Sequence, residues 1–345
     1  MAVLVTGGAG YIGSHMAWAL LDAGEDVVVL DRLSTGFRWS VPPAARFYLG
    51  DVGDRQLLDQ VFADNAIDAV MHFAGSIVVP QSIMHPLEYY DNNTSKTRLL
   101  AAAAIDAGIR NLVFSSTAAV YGDQDDDLPV LETASPQPKN PYGQSKLMAE
   151  IMLRDAAAAH DDFRFVALRY FNVAGADPQG RTGLSTEGAT HLIKIACEAA
   201  IGRRQGVEIY GTDYPTADGT GVRDYIHVSD LVGAHLKALD YLRHGGGPLI
   251  ANCGYGKGYS VLEVLRAVGK LGQKQFAIHH RPRRQGDAAS VVADATLART
   301  LLEWVPRFDD LETIIKTALA WESSLAEQKA GELKALQQRL ASAVF

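Results

Sequence analysis

Val3-Leu4-Val5-Thr6-Gly7-Gly8-Ala9-Gly10-Tyr11-Ile12-Gly13 joins an apolar run to an amphipathic stretch through a cluster of glycines. The run reads as a strand, Tyr11–Ala23 as the helix after it, and the glycines as the turn between them. Glycine there lets the chain turn tightly, approach a pyrophosphate and pack helix against strand. The helix start then offers free N–H groups and the positive end of its dipole. Such a pattern alone also fits an ordinary βα turn. A second apolar run, Val27-Val28-Val29-Leu30, ends in Asp31, 18 residues after Gly13, where a carboxylate can accept bonds from an adenosine ribose. Strand, turn, helix, strand and acid in this order predict a bound dinucleotide, with Gly7, Gly10 and Gly13 at its pyrophosphate. Asp31 would repel a 2′-phosphate, which favours NAD over NADP; Arg32 beside it works the other way.

Outward from the turn, short apolar runs alternate with helical patterns. Strands are predicted at Val3–Thr6, Val27–Asp31, Arg46–Gly50, Ala69–Phe73, Leu112–Ser116 and Phe165–Arg169. Helices are predicted at Tyr11–Ala23, Arg55–Asn65, Glu88–Ala107 and Tyr142–Ala159. This alternation predicts an α/β fold, a Rossmann-type doubly wound parallel sheet over residues 1–172. After Asn172 glycine, proline and aspartate become frequent. A smaller α/β substrate domain is expected over 173–325, with some segments returning to the first domain. Its helices are expected at Thr190–Ile201, Ser229–Leu242, Val261–Leu271 and Leu311–Glu322, and residues 326–345 read as a peripheral helical tail.

The 345 residues are 48% hydrophobic and 21% charged, an ordinary globular composition. A net charge of −8 argues against non-specific nucleic-acid binding, which needs a basic surface. The start has no basic segment before a long apolar stretch, and nothing reaches the roughly 18 apolar residues of a membrane span. Cys197 and Cys253 lie far apart without CxxC spacing, so neither a disulfide framework nor a metal site is expected. These features fit a cytoplasmic protein without nucleic-acid or membrane partners.

Asn140-Pro141-Tyr142-Gly143-Gln144-Ser145-Lys146 opens a helix with Tyr142 and Lys146 at i, i+4, on one face. A phenol titrates near 10; using it as a base near neutrality takes a shift of about 3 units, or about 4 kcal/mol. One ammonium about 4 Å away supplies roughly that at an effective dielectric near 20. A nicotinamide cation would add more, so this pair beside NAD is a tunable base. Most such pairs in helices are surface residues. Here Phe114-Ser115-Ser116-Thr117 ends a predicted strand, where an open α/β sheet places its crevice. Thr117 can relay a proton between Tyr142 and a substrate hydroxyl, or simply cap a turn.

Further segments carry a resemblance. They are His72-Phe73-Ala74-Gly75, Pro86 to Asn93, Ala119-Val120-Tyr121-Gly122-Asp123, Leu168 to Asn172, Tyr214 to Val228, and Arg283-Arg284-Gln285-Gly286-Asp287. With the glycine turn and Tyr-x-x-x-Lys, the chain resembles the extended short-chain dehydrogenase/reductases, and among them the UDP-glucose 4-epimerase (UDP-galactose 4-epimerase) family, to about Pro306. The Tyr214–Val228 segment is the specific part; many families share the turn. The resemblance implies a UDP-sugar substrate, NAD as cofactor and a homodimer pairing through the Glu88–Ala107 and Tyr142–Ala159 helices. In the implied reaction Tyr142, assisted by Thr117, takes the proton of the sugar 4-hydroxyl while hydride passes to NAD. The 4-keto sugar turns its other face and is reduced again, so NAD is regenerated in place and should be retained.

By position, the resemblance also puts Tyr11, Ile12, Asp51, Val52, Phe73, Ala74, Gly75, Asn92, Tyr170 and Phe171 against NAD. Arg223 and Arg284 would meet the diphosphate, Asp287 the uridine ribose and Tyr210 the uracil, while Asn172, His191 and Leu192 complete the site. Four departures stand out. Thr117 replaces the serine of many relatives, Ile77 a lysine that in some holds the cofactor, and His191 a frequent asparagine. Val291 stands where a tyrosine in some relatives closes the pocket to N-acetylated sugars. Three other readings share features with this one. A 4,6-dehydratase needs acids next to the hydroxyl residue, where Ala118 and Ala119 stand. A 4-epimerase of UDP-xylose/UDP-arabinose or of UDP-N-acetylhexosamines uses the same scaffold. A non-catalytic NAD sensor has no need of Tyr142, Lys146 and Thr117 together.

Overall fold

The computed structural model describes residues 1–122, 129–284 and 287–342, with side chains as far as residue 328. Asp123, Gln285 and Gly286 of the matching segments, and the end of the expected tail, lie outside the described residues. The first half runs β1 (Ala2–Thr6), α1 (Tyr11–Asp22), β2 (Asp26–Asp31), β3 (Arg46–Leu49), α2 (Arg55–Asp64), β4 (Ile67–His72), α3 (Val79–Met84), α4 (Pro86–Tyr89), α5 (Lys96–Asp106), β5 (Asn111–Thr117), α6 (Pro141–Ala159) and β6 (Arg164–Tyr170). Then follow β7 (Asn172–Ala174), α7 (Leu192–Ala200), β8 (Gly206–Tyr210), β9 (Val222–His227), α8 (Val228–Arg243), β10 (Leu249–Cys253), β11 (Gly258–Ser260), α9 (Val261–Leu271), β12 (Ala277–Arg281), β13 (Ser290–Val291), α10 (Thr296–Leu301) and α11 (Leu311–Ser342).

Seven strands form one parallel sheet in the order β10-β6-β5-β4-β1-β2-β3. Strand order reverses between β1 and β4, so the turn after β1 opens at the crevice where doubly wound sheets bind ligands. Alternate residues of each strand serve opposite faces. Val3, Val5, Val27, Val29, Met71 and Val166 pack into one core, and Leu4, Val28, Leu30, Val70, Phe114 and Phe165 into the other. Both faces are covered, which is why these strands are apolar throughout.

The seventh strand, β10, comes from the second half of the chain and was not expected from sequence. The first core is also shared: residues of α7, α8, α9 and α11, among them Ile193, Leu231, Val264 and Ile315, pack in the same cluster as Val3 and Met16. The small β11-β9-β13 sheet, with β7 on β9, and the β8–β12 pair sit at its end. The predicted Glu88–Ala107 helix is interrupted: α4 and α5 are separated by a π-helical turn, Tyr90–Ser95. The helix predicted to stop at Glu322 continues to Ser342.

Four histidines are buried in these cores. Burial pulls His15 and His235 down to about 4, and His72 and His227 to about 3, from an ordinary 6.5. His72 bonds Thr6 Oγ1 at 2.7 Å and Thr97 Oγ1 at 2.9 Å, a structural role. Between those values and 6.5 the unfolded chain binds more protons than the folded one. Stability therefore rises with pH across that window and levels off above it. Urea unfolding at pH 5 should show a lower midpoint than at pH 7.5; equal midpoints would contradict the buried neutral histidines.

Candidate active site

Gly7 has φ +70°, and its N–H donates to Leu30 O at 2.9 Å. A Cβ on Gly7 would lie 2.6 Å from Ala74 N, and one on Gly13 would collide with Gly7 O. Gly10 precedes α1 with no side chain capping the helix start. Backbone alone thus forms the floor of the turn, as a pyrophosphate site requires. Both Asp31 oxygens are drawn to the backbone, Oδ2 accepting from Ala9 N at 2.9 Å and Oδ1 from Leu33 N at 2.7 Å. Phe37 N and Ser40 Oγ in turn donate to Ala9 O. The acid therefore shapes the turn.

Arg32 reaches away from that site, donating to Asp51 Oδ2 at 2.8 Å, where Lys96 Nζ also donates at 2.7 Å. Burial raises Asp51, but bonds from Lys96, Gly53 N and Arg32 outweigh it and hold the carboxyl below its usual range. Arg32 is thus engaged by Asp51, and Asp31 by the backbone of the turn. Val52 and Phe171 are buried, Ile12 packs against the first core, and Tyr11 donates its hydroxyl to Gly175 O at 2.7 Å. The Tyr11 phenol thus ties α1 to the second half.

Beyond β4, Phe73 N donates to Thr6 O and its ring packs on His235. A Cβ on Gly75 would stand 2.9 Å from Asn93 Oδ1 and 3.5 Å from Lys146 Nζ. Asn93 is a bracing residue of the site region that sequence reasoning missed. It lies in the π-helical turn, accepts from Ser76 N, and donates to Ser76 O and Ser145 Oγ. It thereby locks the Gly75 loop to α6, while its neighbour Asn92 donates to Ser76 Oγ.

Helix α6 begins where Asn140 accepts from Gly143 N at 2.9 Å and Pro141 fills the first position. Tyr142, Lys146 and Thr117, the last residue of β5, are all buried. Lys146 donates to Ser115 O at 2.9 Å over the Phe114 ring, and Tyr170 meets Ser115 Oγ at 2.7 Å. Burial pushes the Tyr142 phenol up to about 12; its bond with Thr117 opposes this, and Tyr89 adds to it. Lys146 is pulled down to about 8 by burial, against the pull of Glu150. The Lys146 ammonium is held by Ser115 O, one helical turn from Tyr142. A positive charge brought close to the phenol lowers its pKa toward neutrality.

Glu150, one turn beyond Lys146, was also missed. Its carboxylate binds Arg169 Nη2 at 2.6 Å and Nε at 2.9 Å, and accepts from Ser116 Oγ. Spacing in fours along α6 was the signal for it.

The expected substrate residues fall into three groups. Asn172, His191 and Leu192 line a small pocket with Tyr11, Tyr225 and Trp321. His191 precedes α7, and its buried Nδ1 has no partner among the described residues. Tyr210 ends β8 beneath the Arg284 guanidinium, 3.8 Å above its ring, and Asp287 N donates to Arg284 O. Arg223 lies opposite Val291 across β9 and β13, and Val291 packs with Tyr121 and Phe171. Stacking of Arg284 on Tyr210 was not foreseen: the expected diphosphate and uracil contacts touch each other.

Residues 3–254 match the NAD dependent epimerase/dehydratase family, and the chain belongs to it. A UDP-glucose 4-epimerase of Azospirillum brasilense is 56% identical over 330 residues, 96% of this chain and 94% of that one. The crystal structure of UDP-glucose 4-epimerase from Brucella ovis in complex with NAD superposes with TM-score 0.89 at 44% identity, covering 92% and 97% of the two chains. That from Stenotrophomonas maltophila, with bound NAD and formylated UDP-arabinopyranose, gives 0.92 at 40%, covering 95% and 99%. Since a Cβ at Gly13 would collide with Gly7 O, Gly13→Ala should yield folded protein without nucleotide, read as loss of the 260 nm excess; normal NAD content would contradict this use of the turn.

Proposed function

We propose that this protein interconverts UDP-glucose and UDP-galactose by inverting C4 through a transient 4-keto sugar, with NAD held in the glycine turn. The carrying observation is the buried Thr117–Tyr142 hydroxyl pair, with Lys146 one helical turn on, at the carboxyl edge of β5. Bound NAD supplies a reversible hydride acceptor and a positive charge. Tyr142 takes the 4-hydroxyl proton, with Thr117 as relay, and keeps it for return. Lys146, fixed by Ser115 O, holds positive charge behind the pair. Burial excludes water, so the proton and the keto sugar stay in the site. Tyr210, Arg223, Arg284 and Asp287 hold the nucleotide, and Asn172, His191 and Leu192 border the sugar side. The hexose is left free to turn, and the cofactor is retained between turnovers.

Residues 1–172 serve NAD in this reading and 173–325 mostly the UDP-sugar. The work is cytoplasmic, in keeping with two buried free cysteines and the absence, among the described residues, of a helix long and apolar enough to cross a membrane. The protein acts as a homodimer: Ile83, Met84, Leu87, Met148 and Ile151 are exposed along α3, α4 and α6, and Arg98, Ala101, Met152 and Ala156 line a groove between α5 and α6.

Tyr142→Phe should keep NAD and lose about 10²- to 10⁴-fold in UDP-galactose turnover, the range of a lost general acid–base group. Unchanged turnover would remove the proposal. One observation favours a wider substrate range. Val291 pairs with Arg223 and packs with Tyr121 and Phe171, and it is smaller than the tyrosine some relatives carry there. UDP-N-acetylglucosamine should therefore be epimerised, and Val291→Tyr should abolish that activity while sparing the plain hexoses; no turnover of the N-acetylated sugar by the native chain would exclude the wider range.

A further inference from the structure

Two consecutive residues of α11, Trp321 and Glu322, touch the two binding regions from behind. Both are buried, at 5% and 2% exposure. The Trp321 ring lies 6.1 Å from that of Trp39, which stacks on Phe37 at 5.3 Å. Phe37 N and Ser40 Oγ hold Ala9 O inside the glycine turn. The Trp321 indole N–H donates to Ser185 Oγ at 3.2 Å, and its ring fills the space a Cβ on Gly183 would take. The next residue, Glu322, accepts from Lys194 Nζ at 2.5 Å, and that ammonium also donates to Leu184 O at 3.0 Å. Lys194 stands in the first turn of α7, two residues after Leu192, and His191, Leu192, Lys194, Trp321 and Glu322 line one cavity with Asn172.

The loop behind the cofactor turn and the helix start behind the sugar site are therefore fastened to the same turn of one helix. We infer that Trp321 and Glu322 are positioning residues that couple retention of NAD to occupation of the nucleotide site, through Trp39 on one side and Lys194 on the other. Ordering α7 against Glu322 orders Trp321, and with it the 37–40 segment that braces Ala9. By linkage, the factor by which one ligand tightens the other must be the same in both directions.

This rests on the proposed NAD and UDP sites, but its test does not depend on turnover. The rate at which NAD leaves the holoprotein on dilution is measured with and without saturating UDP. UDP should slow release about fivefold or more in the native chain, the lower end of ordinary coupling. Trp39→Ala should bring that ratio close to one, and so should Lys194→Met, although Lys194 lies on the sugar side; Lys194→Arg should restore it. Trp39 is 51% exposed, so its replacement spares the core, and its result stands even where Lys194→Met folds poorly. A merely loosened fold would speed release in both arms and keep the ratio. A native ratio of one, or a ratio unchanged in Trp39→Ala, would overturn the inference. UDP-sensitive release in a protein that epimerises no hexose would refute the proposed function and leave the coupling standing.

Discussion

The buried carboxylate of Glu150 is the constraint on which the reacting groups depend. It reaches from α6 across β5 to β6, taking bonds from Ser116 and Arg169, so it fixes the helix against the two strands that end at Thr117 and Tyr170. Removing one partner of such a pair strands a charge in the interior, a loss of about 3–5 kcal/mol. Its influence continues up the helix, because its charge opposes the burial that pulls Lys146 down. Tyr142, Lys146 and Glu150 therefore form one ladder: a phenol at the crevice, an ammonium behind it, a carboxylate at the base.

That ladder explains why the phenol is held protonated by the protein itself. Burial at its end of the ladder raises the phenol, while the Lys146 ammonium donates to Ser115 O and lies over the Phe114 ring. A cation brought in beside the phenol favours its ionised form. A tyrosine activated permanently would be a base with nothing to accept the hydride; tying the two events to one ligand avoids that state.

Much of this was legible in the residues. Short apolar runs identify the six strands of the first half, and the Gly7–Gly13 turn with Asp31 marks the crevice. The seventh strand was hidden because Leu249–Cys253 is a short run whose partner, β6, is about 80 residues earlier in the chain; pairing of that kind leaves no local pattern. The same holds for Asn93, whose role depends on a π-helical turn that puts the residue out of register with the helix on either side. Periodicity assumes a regular helix and so smooths over that residue. The hydrogen bond of Lys146 to Ser115 O was hidden for a related reason. Spacing places two side chains on one face but does not say to which acceptor an ammonium turns.

The single core that runs from Val3 through Leu231 to Ile315 has a mechanical meaning. Halves joined through a dry, close-packed interior, and by a strand of one completing the sheet of the other, cannot swing apart on a hinge without exposing that interior to water. Admission and escape of a sugar nucleotide must then be the business of the loops at the rim. The space in which a hexose would turn over is accordingly set within one body, and its larger dimensions are fixed before any ligand enters.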